Sequence, residues 1–446
     1  MSAPKPDGTE GRSSLFRLIR GFRRDLLSTF PKRMYRAWMA EYRNPLIHSF
    51  VCNDPALVRL ILQERPDDFP KSNRLREGLA PLLGESVFVT NGEEWRHQRR
   101  IIDPAFEGGR VREAFPAIWS AASAIIARLP SGEIDIEPET SHAAADVIFR
   151  SLFSLPIEHE IAFKVFRAFR THQDSQPLVN LAVLIPLPRW LPRFPSRQTK
   201  RSAAEIRELI RELVSARMNA IRDGTAPDDL ATKIMTTSDP QTDERFTASE
   251  MVDQVAVFFL AGHETGASAL AWALWLLAAH PEWQDRVAAE GRMLTPDFKA
   301  VSGLKATRAV FRETLRLYPP VPMMVREAAQ PETFRDRKVP RKAQLVLSPW
   351  HLHRHERLWQ QPDMFDPGRW DTPEGKASAR DAYIPFSAGQ RVCPGAGFAM
   401  LEGVVMLARI AAAFRLYPGS ETPVPVARLT VRGKNGILIR LERREE

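Results

Sequence analysis

One long apolar stretch constrains the fold more than any other feature of the sequence. It follows Thr247, which together with Glu250 predicts a helical capping box, and it continues to His280, where a proline ends it. The stretch is long enough to cross a membrane, but ionisable residues are rare at a bilayer centre, and His263 and Glu264 lie in its middle. We therefore predict one long central helix within a large core.

The middle of this predicted helix is unusual, because residues 261–266 read Ala-Gly-His-Glu-Thr-Gly. Each glycine inside a helix costs about 1 kcal/mol relative to alanine. The buried carboxylate and hydroxyl require hydrogen bonds or a cavity. Small residues would let a flat group approach the backbone, with Glu264 and Thr265 beside it as a proton-carrying pair. A kink in an ordinary core helix explains the segment equally well.

Composition narrows the class of protein. The 446 residues are 44% hydrophobic and carry a formal net charge of +9, but the basic residues are scattered, so binding to nucleic acid is disfavoured. Two cysteines, Cys52 and Cys393, exclude a disulfide framework and favour a reducing, cytoplasmic location, and Cys52 is expected to be buried and inert. Residues 1–30 lack the run of about 20 apolar residues that a transmembrane anchor needs, so they predict a flexible basic lead-in. Residues 31–446 are then a single domain.

Helical periodicity dominates the chain, for example over residues 205–221 and 401–414. Residues 185–195 contain four prolines and are predicted to be irregular, and residues 223–245 predict a surface connection around one short helix. Strand-like runs are few and short, at residues 47–52, 344–347 and 436–441. The fold class is therefore mainly α with a minor β lobe.

A second motif surrounds Cys393, where residues 386–395 read Phe-Ser-Ala-Gly-Gln-Arg-Val-Cys-Pro-Gly. Gly389 permits a tight turn, and the Pro-Gly pair after the cysteine predicts the start of a helix. A cysteine just before a helix N-terminus has a lowered pKa that favours the thiolate. Arg391 can bind a nearby carboxylate. These neighbours make a buried, inert cysteine less plausible here than at Cys52.

Glu313 and Arg316 lie three residues apart on a helix predicted over residues 305–318. Residues at this spacing share a helix face. An exposed salt bridge contributing a few tenths of a kcal/mol is the ordinary explanation of such a pair, so alone it indicates little.

Taken together, these segments resemble the cytochrome P450 family from about residue 45 to the C-terminus. The cysteine signature FxxGxRxCxG is matched by Phe386, Gly389, Arg391, Cys393 and Gly395. The resemblance implies that Cys393 is the axial ligand of a haem b iron and that Arg391 binds a haem propionate. It also implies that Phe386 and Gly395 contact the cofactor.

The central helix is similar to the AGx[DE]T element of this family, through Ala261, Glu264 and Thr265. The resemblance implies that Ala261 lies against the haem. It also implies that the acid and the threonine relay protons during oxygen activation.

Two further elements resemble the family. Glu313 and Arg316 match its ExxR pair, and Arg369 matches the arginine that completes a structural triad, although Trp370 stands where the family usually has phenylalanine.

Another match is the WxxxR element at Trp95 and Arg99, and Arg326 occupies a position at which the family often binds a propionate. The resemblance therefore adds Trp95, Arg99 and Arg326 to the residues that bind the cofactor. His97 and Arg100 are interpreted as solvated helix positions.

The resemblance implies a triangular, mainly helical fold with a smaller β-rich lobe near the N-terminus. It implies a haem-thiolate monooxygenase that inserts one oxygen atom of dioxygen into an apolar substrate, with electrons from a ferredoxin or flavodoxin and its reductase. The basic excess would suit an acidic donor near the cysteine. A peroxide-driven peroxygenase, a haem-thiolate isomerase or dehydratase and a non-enzymatic haem sensor are the alternatives, and the presence of both Glu264 and Thr265 favours the monooxygenase.

The substrate stays open beyond an apolar molecule such as a fatty acid, terpenoid, steroid or aromatic compound. The resemblance implies that its pocket is lined by residues 73–89, 185–195, 255–261, 321–325 and 434–437.

Overall fold

The computed structural model describes residues 2–6, 8, 25–43, 48–175 and 197–445. The proline-rich segment at residues 185–195 and most of the predicted lead-in lie outside these residues. The helices, in chain order, are α1 Pro55–Arg59, α2 Asn73–Leu83, α3 Gly92–Ile102, α4 Gly109–Glu113, α5 Phe115–Arg128, α6 Glu137–Phe153, α7 Glu160–Ser175, α8 Arg197–Arg222, α9 Leu230–Thr236, α10 Ala248–Ala279, α11 Pro281–Arg292, α12 Lys305–Leu317, α13 Pro349–Leu352, α14 Pro373–Ala382 and α15 Ala396–Ala413.

The long apolar stretch forms α10, as predicted. Its capping box is present: the Thr247 hydroxyl accepts from the Glu250 N–H at 3.3 Å, and the Glu250 carboxylate accepts from the Thr247 N–H at 2.8 Å. The helix packs against α6, α8, α12 and α15. Most of its side chains are buried, as expected for a helix that is largely apolar on every face. Helix α10 is therefore the centre of the core.

The strands are short and belong to separate small sheets. They are β1 Met39–Arg43, β2 His48–Cys52, β3 Gly132–Asp135, β4 Met324–Glu327, β5 Glu332–Phe334, β6 Arg337–Val339, β7 Gln344–Leu347, β8 Phe414–Pro418, β9 Pro425–Ala427, β10 Val431–Gly433 and β11 Leu438–Arg443. The largest sheet has the order β1-β2-β7-β4, and the parallel pair β2 and β7 joins Ser49 to Gln344, 295 residues further along the chain. A second sheet has the order β3-β11-β8, and β9 pairs with β10 in a hairpin.

The three strand-like runs found in the sequence correspond to β2, β7 and β11. The other strands are three to five residues long, too short for an alternating pattern to distinguish them from turns. The mainly helical fold class with a minor β component is confirmed.

The described part of the predicted lead-in contacts the body of the protein. The Ala3 N–H donates to the Asp363 carbonyl at 2.7 Å, and the Tyr318 hydroxyl donates to the Pro4 carbonyl at 3.0 Å. Ala3 is buried. These first residues are thus held against α12 and the segment that follows α13.

Among the described helices, α15 has the length and the apolar composition that a membrane span would need. It packs against α5, α10 and α11, and most of its side chains are buried inside the fold. A core helix meets the same criteria, and its packing identifies α15 as one.

Candidate active site

The loop before α15 fixes the position of Cys393. The Cys393 N–H donates to the Phe386 carbonyl at 2.9 Å, and the Val392 N–H donates to the Gly389 carbonyl at 3.0 Å. Gly389 has φ +68°, and a Cβ atom there would lie 1.9 Å from the Leu62 carbonyl oxygen, so only glycine fits this turn. Helix α15 begins at Ala396 with Gly395 as its N-cap, and the Ala399 N–H donates to the Gly395 carbonyl at 2.8 Å, so the helix starts directly after the Pro-Gly pair, as predicted to within two residues.

The Cys393 side chain is accessible on this loop, although protein atoms surround it. Burial raises the pKa of the Cys393 thiol, and the Gly395 N–H and the charge of Arg99 oppose this rise only in part. The prediction that the helix N-terminus lowers the pKa of Cys393 was therefore wrong for the protein without a cofactor. Coordination of a metal cation would deprotonate such a thiol.

The middle of α10 presents Ala261 and Thr265 as accessible side chains in an otherwise buried helix. The Thr265 hydroxyl donates to the Ala261 carbonyl one turn earlier, at 2.6 Å. The predicted role of the glycines is wrong for Gly262, because a Cβ atom there would lie 2.5 Å from the Ile148 side chain. Gly262 therefore permits close packing of α6 against α10.

The Glu264 carboxylate is buried and turned towards the C-terminal hairpin β9–β10. Arg432 donates to both of its oxygens at 2.6 Å, and Gln173 donates at 2.6 Å. Burial by itself would raise the pKa of Glu264, but His263, Arg432 and these hydrogen bonds outweigh it and lower the pKa. No hydrogen bond joins Glu264 to Thr265, both of which the structure describes.

A second buried carboxyl group, Glu402 of α15, lies on the other side of this helix turn, and the sequence did not indicate it. A Cβ atom at Gly266 would lie 3.1 Å from the Glu402 carboxylate. Burial raises the pKa of Glu402 to about 8. Among the residues that the structure describes, no donor forms a hydrogen bond with it.

Glu313, Arg316 and Arg369 form a closed, buried ion cluster. Arg316 donates to both oxygens of Glu313 at 2.8 and 3.0 Å, and Arg369 donates to Glu313 at 2.9 Å. The remaining Arg316 donors reach the carbonyls of His353, Pro362 and Met364. Trp370, the departure from the family pattern, is buried with the Arg312 guanidinium 4.1 Å from its ring centre.

The arginines near the cysteine loop, unlike those around Glu313, bind mainly neutral groups. Arg391 donates to the Thr90 carbonyl and the Asn91 side chain at 3.1 and 3.0 Å and lies 4.1 Å from the Trp95 ring centre. Arg99 donates to the Val392 carbonyl at 2.8 Å, which connects α3 directly to this loop.

Arg326 is the third arginine of this group. Among the described residues, its guanidinium donates a hydrogen bond to the carbonyl of the preceding residue, Val325. Burial lowers the pKa of Arg326 to about 10, and burial together with the charge of Arg326 lowers the pKa of Arg391 to about 10. The structure thus places Arg99, Arg326 and Arg391, all predicted from the sequence to bind the cofactor, close enough for their charges to interact.

Lys71 belongs to the same neighbourhood, although the sequence did not indicate it. Its ammonium donates to the Phe88 carbonyl and lies 4.3 Å from the Phe88 ring centre. Burial lowers the pKa of Lys71 well below its ordinary value, and the charges of Arg326, Arg391 and Arg99 lower it further.

His97 and Arg100 are partly buried and both bind one carboxylate, so the interpretation as solvated helix positions was wrong in this respect. The His97 ring nitrogen lies 2.7 Å from the Asp239 carboxylate, and Arg100 binds both oxygens of Asp239 at 2.7 Å. The sequence could not reveal these contacts, because Asp239 lies about 140 residues away in the connection after α9. They attach that connection to α3, the helix that carries Trp95 and Arg99.

Comparison with known proteins decides the family. The family model of cytochrome P450 matches residues 27–439. This chain belongs to the cytochrome P450 family. It is 33% identical over 388 residues to cyclooctat-9-en-7-ol 5-monooxygenase of Streptomyces melanosporofaciens, covering 85% of this chain and 83% of that protein. It is 27% identical over 435 residues to a cytokinin hydroxylase of Arabidopsis thaliana, covering 92% and 83%.

Solved structures agree on the fold. The haem domain of cytochrome P450DA superposes with a TM-score of 0.80 at 22% identity, covering 100% of this chain and 99% of that chain. A six-coordinated cytochrome P450 from Thermus thermophilus superposes with a TM-score of 0.67 at 25% identity, covering 89% and 93%. The expected cytochrome P450 fold is confirmed.

Membership in the P450 family makes this protein an oxidoreductase, a haem-thiolate monooxygenase that needs dioxygen and a redox partner. The described residues fit a haem. An accessible thiol stands on a rigid loop, Ala261 is an accessible small side chain of the central helix, and cations with few acidic partners lie beside the loop. This arrangement suits an iron porphyrin with two carboxylates.

Proposed function

We propose that this P450 hydroxylates an apolar organic substrate, using a non-covalently bound haem b whose iron is held by Cys393. The balanced reaction takes a C–H bond, dioxygen, two electrons and two protons to an alcohol and water. The observation that carries the proposal is the accessible thiol of Cys393 on its glycine-constrained loop. When bound, the haem supplies oxygen activation, which electron donation from the thiolate favours.

The protein residues around the cysteine would hold the cofactor. Phe386 accepts the backbone hydrogen bond that orients Cys393, and Gly395 follows it where a Cβ atom would lie 3.9 Å from the sulfur. The Arg99, Arg326 and Arg391 guanidinium groups would bind the two carboxylates, because charge-assisted hydrogen bonds are their strongest available contacts. Trp95 fixes Arg391 by stacking beneath its guanidinium.

Thr265 and Glu264 would move the protons that the reaction consumes. The Thr265 hydroxyl is accessible in the middle of α10, and its bond to the Ala261 carbonyl holds it in place. Glu264 is the adjacent acid, but Arg432 holds it as a carboxylate. Proton delivery through this pair therefore requires the Glu264 side chain to turn away from Arg432.

Apolar side chains near these residues support an apolar substrate. Phe88 and Leu429 are 40% and 51% exposed, and each lies beside a residue of the site. Phe88 contacts Lys71, and Leu429 precedes Thr430, whose hydroxyl lies 3.4 Å from Glu264. The named substrate of the Streptomyces relative, an alcohol with a hydrocarbon framework, agrees with this class.

A basic surface beside the cysteine loop supports an acidic electron donor of the ferredoxin or flavodoxin type. A cleft of about 420 Å³ is lined by Trp95, Arg96, Arg99, Arg100, Asp103, Pro104, Glu107, Pro240 and Gln390. The neighbouring helix α4 carries exposed Arg110 and Arg112 and contacts α15. Positive charge at a docking face accelerates association with an acidic partner.

The decisive experiment is the carbon monoxide difference spectrum of the reduced protein. Thiolate ligation by Cys393 predicts a strongly red-shifted Soret band that is lost in Cys393→Ala. Cys52→Ala is the matched control, because Cys52 is completely buried in another core cluster and should leave the band unchanged. A normal band in Cys393→Ala, or no such band in the haem-loaded wild type, would overturn the proposal.

The chemistry is tested by product formation with different oxidants. With reduced nicotinamide, a donor protein and its reductase, an apolar substrate should yield an alcohol. Thr265→Ala should direct most reducing equivalents into peroxide or water instead of product, while Thr265→Ser should keep most of the product. Equal or better turnover with hydrogen peroxide alone would identify a peroxygenase.

The donor surface is tested by charge reversal. Arg112→Glu should raise the KM for an acidic donor and weaken its dependence on ionic strength, while Arg440→Glu, on exposed β11, should change neither. Reduction rates insensitive to salt in the wild type would contradict an acidic donor.

A further inference from the structure

Arg432, which holds the Glu264 carboxylate, lies between two carboxyl groups. On one side its guanidinium donates to both oxygens of Glu264, in the middle of α10. On the other side the next residue of β10, Gly433, donates its N–H to a carboxyl oxygen of Glu137 at 3.1 Å. Glu137 is the first residue of α6. Arg432 therefore lies on a strand that joins the proton-carrying acid of α10 to an acid of α6.

The chain around Arg432 is attached to the start of α6, while its side chain has room to move. The Ile136 N–H donates to the Ile437 carbonyl at 3.0 Å, and the Asp135 carboxylate accepts from the Ile437 N–H at 3.0 Å. These bonds hold the segment after β10 in place. The Arg432 side chain itself is 27% exposed, so it can change partners without disturbing the core.

The pKa values of the two flanking acids are shifted in opposite directions. The pKa of Glu264 is lowered, although burial alone would raise it, because its contacts with Arg432 and His263 favour the carboxylate. Burial raises the pKa of Glu137 to about 7, and Gly433 and Arg432 oppose this rise only in part. The charged groups that face Glu137 are Asp135, Arg428 and Arg432. Near neutral pH, Glu137 therefore carries a proton for much of the time while Glu264 does not.

We propose that Glu137 is a positioning residue for proton delivery, which receives the Arg432 guanidinium when Glu264 turns away from it. The inference rests on the proposed function, which requires that turn. Separating a buried ion pair is costly when one charge is left without a partner. A second carboxylate beside Arg432 replaces the lost charge-assisted hydrogen bonds and so lowers the cost of releasing Glu264.

The exchange of partners is balanced in protons and charge. Before it, Glu264 is a carboxylate bound to Arg432, and Glu137 is a carboxylic acid. After it, Glu137 is the carboxylate bound to Arg432, and Glu264 has lost the cation that kept its pKa low. One O–H bond breaks at Glu137, which gives its proton to solvent water, and one forms at Glu264, which takes a proton from solvent water. No electron is transferred, and the proton arrives at the acid beside Thr265.

The sharing of Arg432 is tested directly by infrared titration of carboxylic acid bands in the haem-loaded protein. The band of Glu137 is identified by its loss in Glu137→Gln, and in the wild type it should titrate at about pH 7. In Glu264→Gln, Arg432 has one carboxylate left to bind, so the pKa of Glu137 should fall. An unchanged titration of Glu137 in Glu264→Gln would overturn the inference.

Turnover tests the consequence for proton delivery. Glu137→Gln keeps an acceptor for the Gly433 N–H but cannot neutralise Arg432. We expect product formation to slow on the order of tenfold, which is the difference between a charge-assisted and a neutral hydrogen bond, and its solvent isotope effect to increase. Glu137→Asp should restore part of the rate. Glu139→Gln is the matched control, since Glu139 lies on the same turn of α6 and its partner is Arg128.

A double-substitution cycle distinguishes positioning from a structural role. In Arg432→Gln the Glu264 carboxylate is no longer held, so adding Glu137→Gln should cause no further loss of rate. An equal loss in both backgrounds would show that Glu137 acts through the stability of the fold and would contradict the inference.

The outcome is separable from that of the proposed function. The carbon monoxide spectrum and alcohol formation by the wild type test that function without reference to Glu137. A red-shifted band and normal alcohol formation, together with no effect of Glu137→Gln, would contradict only the role of Glu137.

Discussion

Two groups of cations in this P450 differ in one respect, the presence of a carboxylate partner from the protein. Arg316 and Arg369 share the carboxylate of Glu313, and their other donors reach backbone carbonyls. Arg326 and Lys71 have neutral partners instead, and the pKa of each is lowered, in both cases first by burial. The first group has its own carboxylate, whereas the second has none among the described residues, as expected of charges that would bind a cofactor anion.

The presence or absence of a carboxylate partner distinguishes cations with a structural role from cations expected to bind the cofactor, and it does so independently of sequence motifs. A buried ion pair that is fully hydrogen-bonded holds elements together, and removal of one partner is costly. A buried cation without a counter-charge destabilises the fold by itself and is retained for what it binds. Substitutions in the two groups should therefore have opposite consequences for the protein without haem.

The largest effect is expected in the complete group. Arg316→Lys cannot reproduce the planar set of donors that reaches Glu313 and three carbonyls, so it should destabilise the protein by about 3–5 kcal/mol or prevent its accumulation. Urea unfolding and soluble yield measure this. Arg312→Lys on the same helix is the control, since its guanidinium stacks on Trp370 and has no part in the cluster. Equal stability of the two variants would contradict the distinction.

The acidic counterpart of the uncompensated cations is Glu402, whose pKa burial raises to about 8 from its ordinary 4.5. The folded protein then binds more protons at this group than the unfolded chain does between these two values. Stability should therefore fall as pH rises from about 4.5 to 8, by up to about 1.4 kcal/mol per pH unit and about 3 kcal/mol by pH 7.

Glu402→Gln should remove this slope, and exposed Glu374→Gln should retain it. The measurement is the free energy of unfolding at several pH values. An unchanged slope in Glu402→Gln would show that the carboxyl group is compensated after all.

How far the sequence predicted these features depends on whether the partners are local. The capping box of α10 and the spacing of Glu313 and Arg316 depend on neighbouring residues, and both are present as predicted. Arg432 and Glu402 approach α10 from segments about 140 to 170 residues away, and only the tertiary fold brings them there. The pKa of Cys393 was predicted in the wrong direction, because burial outweighs the local backbone effect.

Substitution of Arg326 is expected to have smaller effects, which are opposite in sign for the stability of the haem-free protein and for haem retention. Arg326→Met removes a buried cation whose described partner is its own neighbouring carbonyl. Without haem, the variant should be more stable than the wild type, because an uncompensated charge has gone. With haem, it should release the cofactor on the order of tenfold faster.

Urea unfolding before and after haem extraction, together with haem transfer to apomyoglobin, tests both signs at Arg326. Exposed Arg380→Met should change neither quantity. A loss of stability in the haem-free variant would place Arg326 with the structural cations.

The smallest effect on stability is expected at Asp239. This carboxylate neutralises His97 and Arg100 and so connects the loop after α9 to α3. The hydrogen bond from Arg100 is the main reason that the pKa of Asp239 is lowered. A carboxyl group with a lowered pKa stabilises the fold above its ordinary value, and this contribution disappears as pH falls through the lowered value. Asp239→Asn should therefore lower the melting temperature slightly at pH 7 and not at strongly acidic pH.

Because α3 also carries Trp95 and Arg99, haem transfer should accelerate slightly in Asp239→Asn. The control Asp243→Asn, in the same loop, should change neither the melting temperature nor haem transfer. A large effect on haem transfer would mean that α3 depends on this loop for its position.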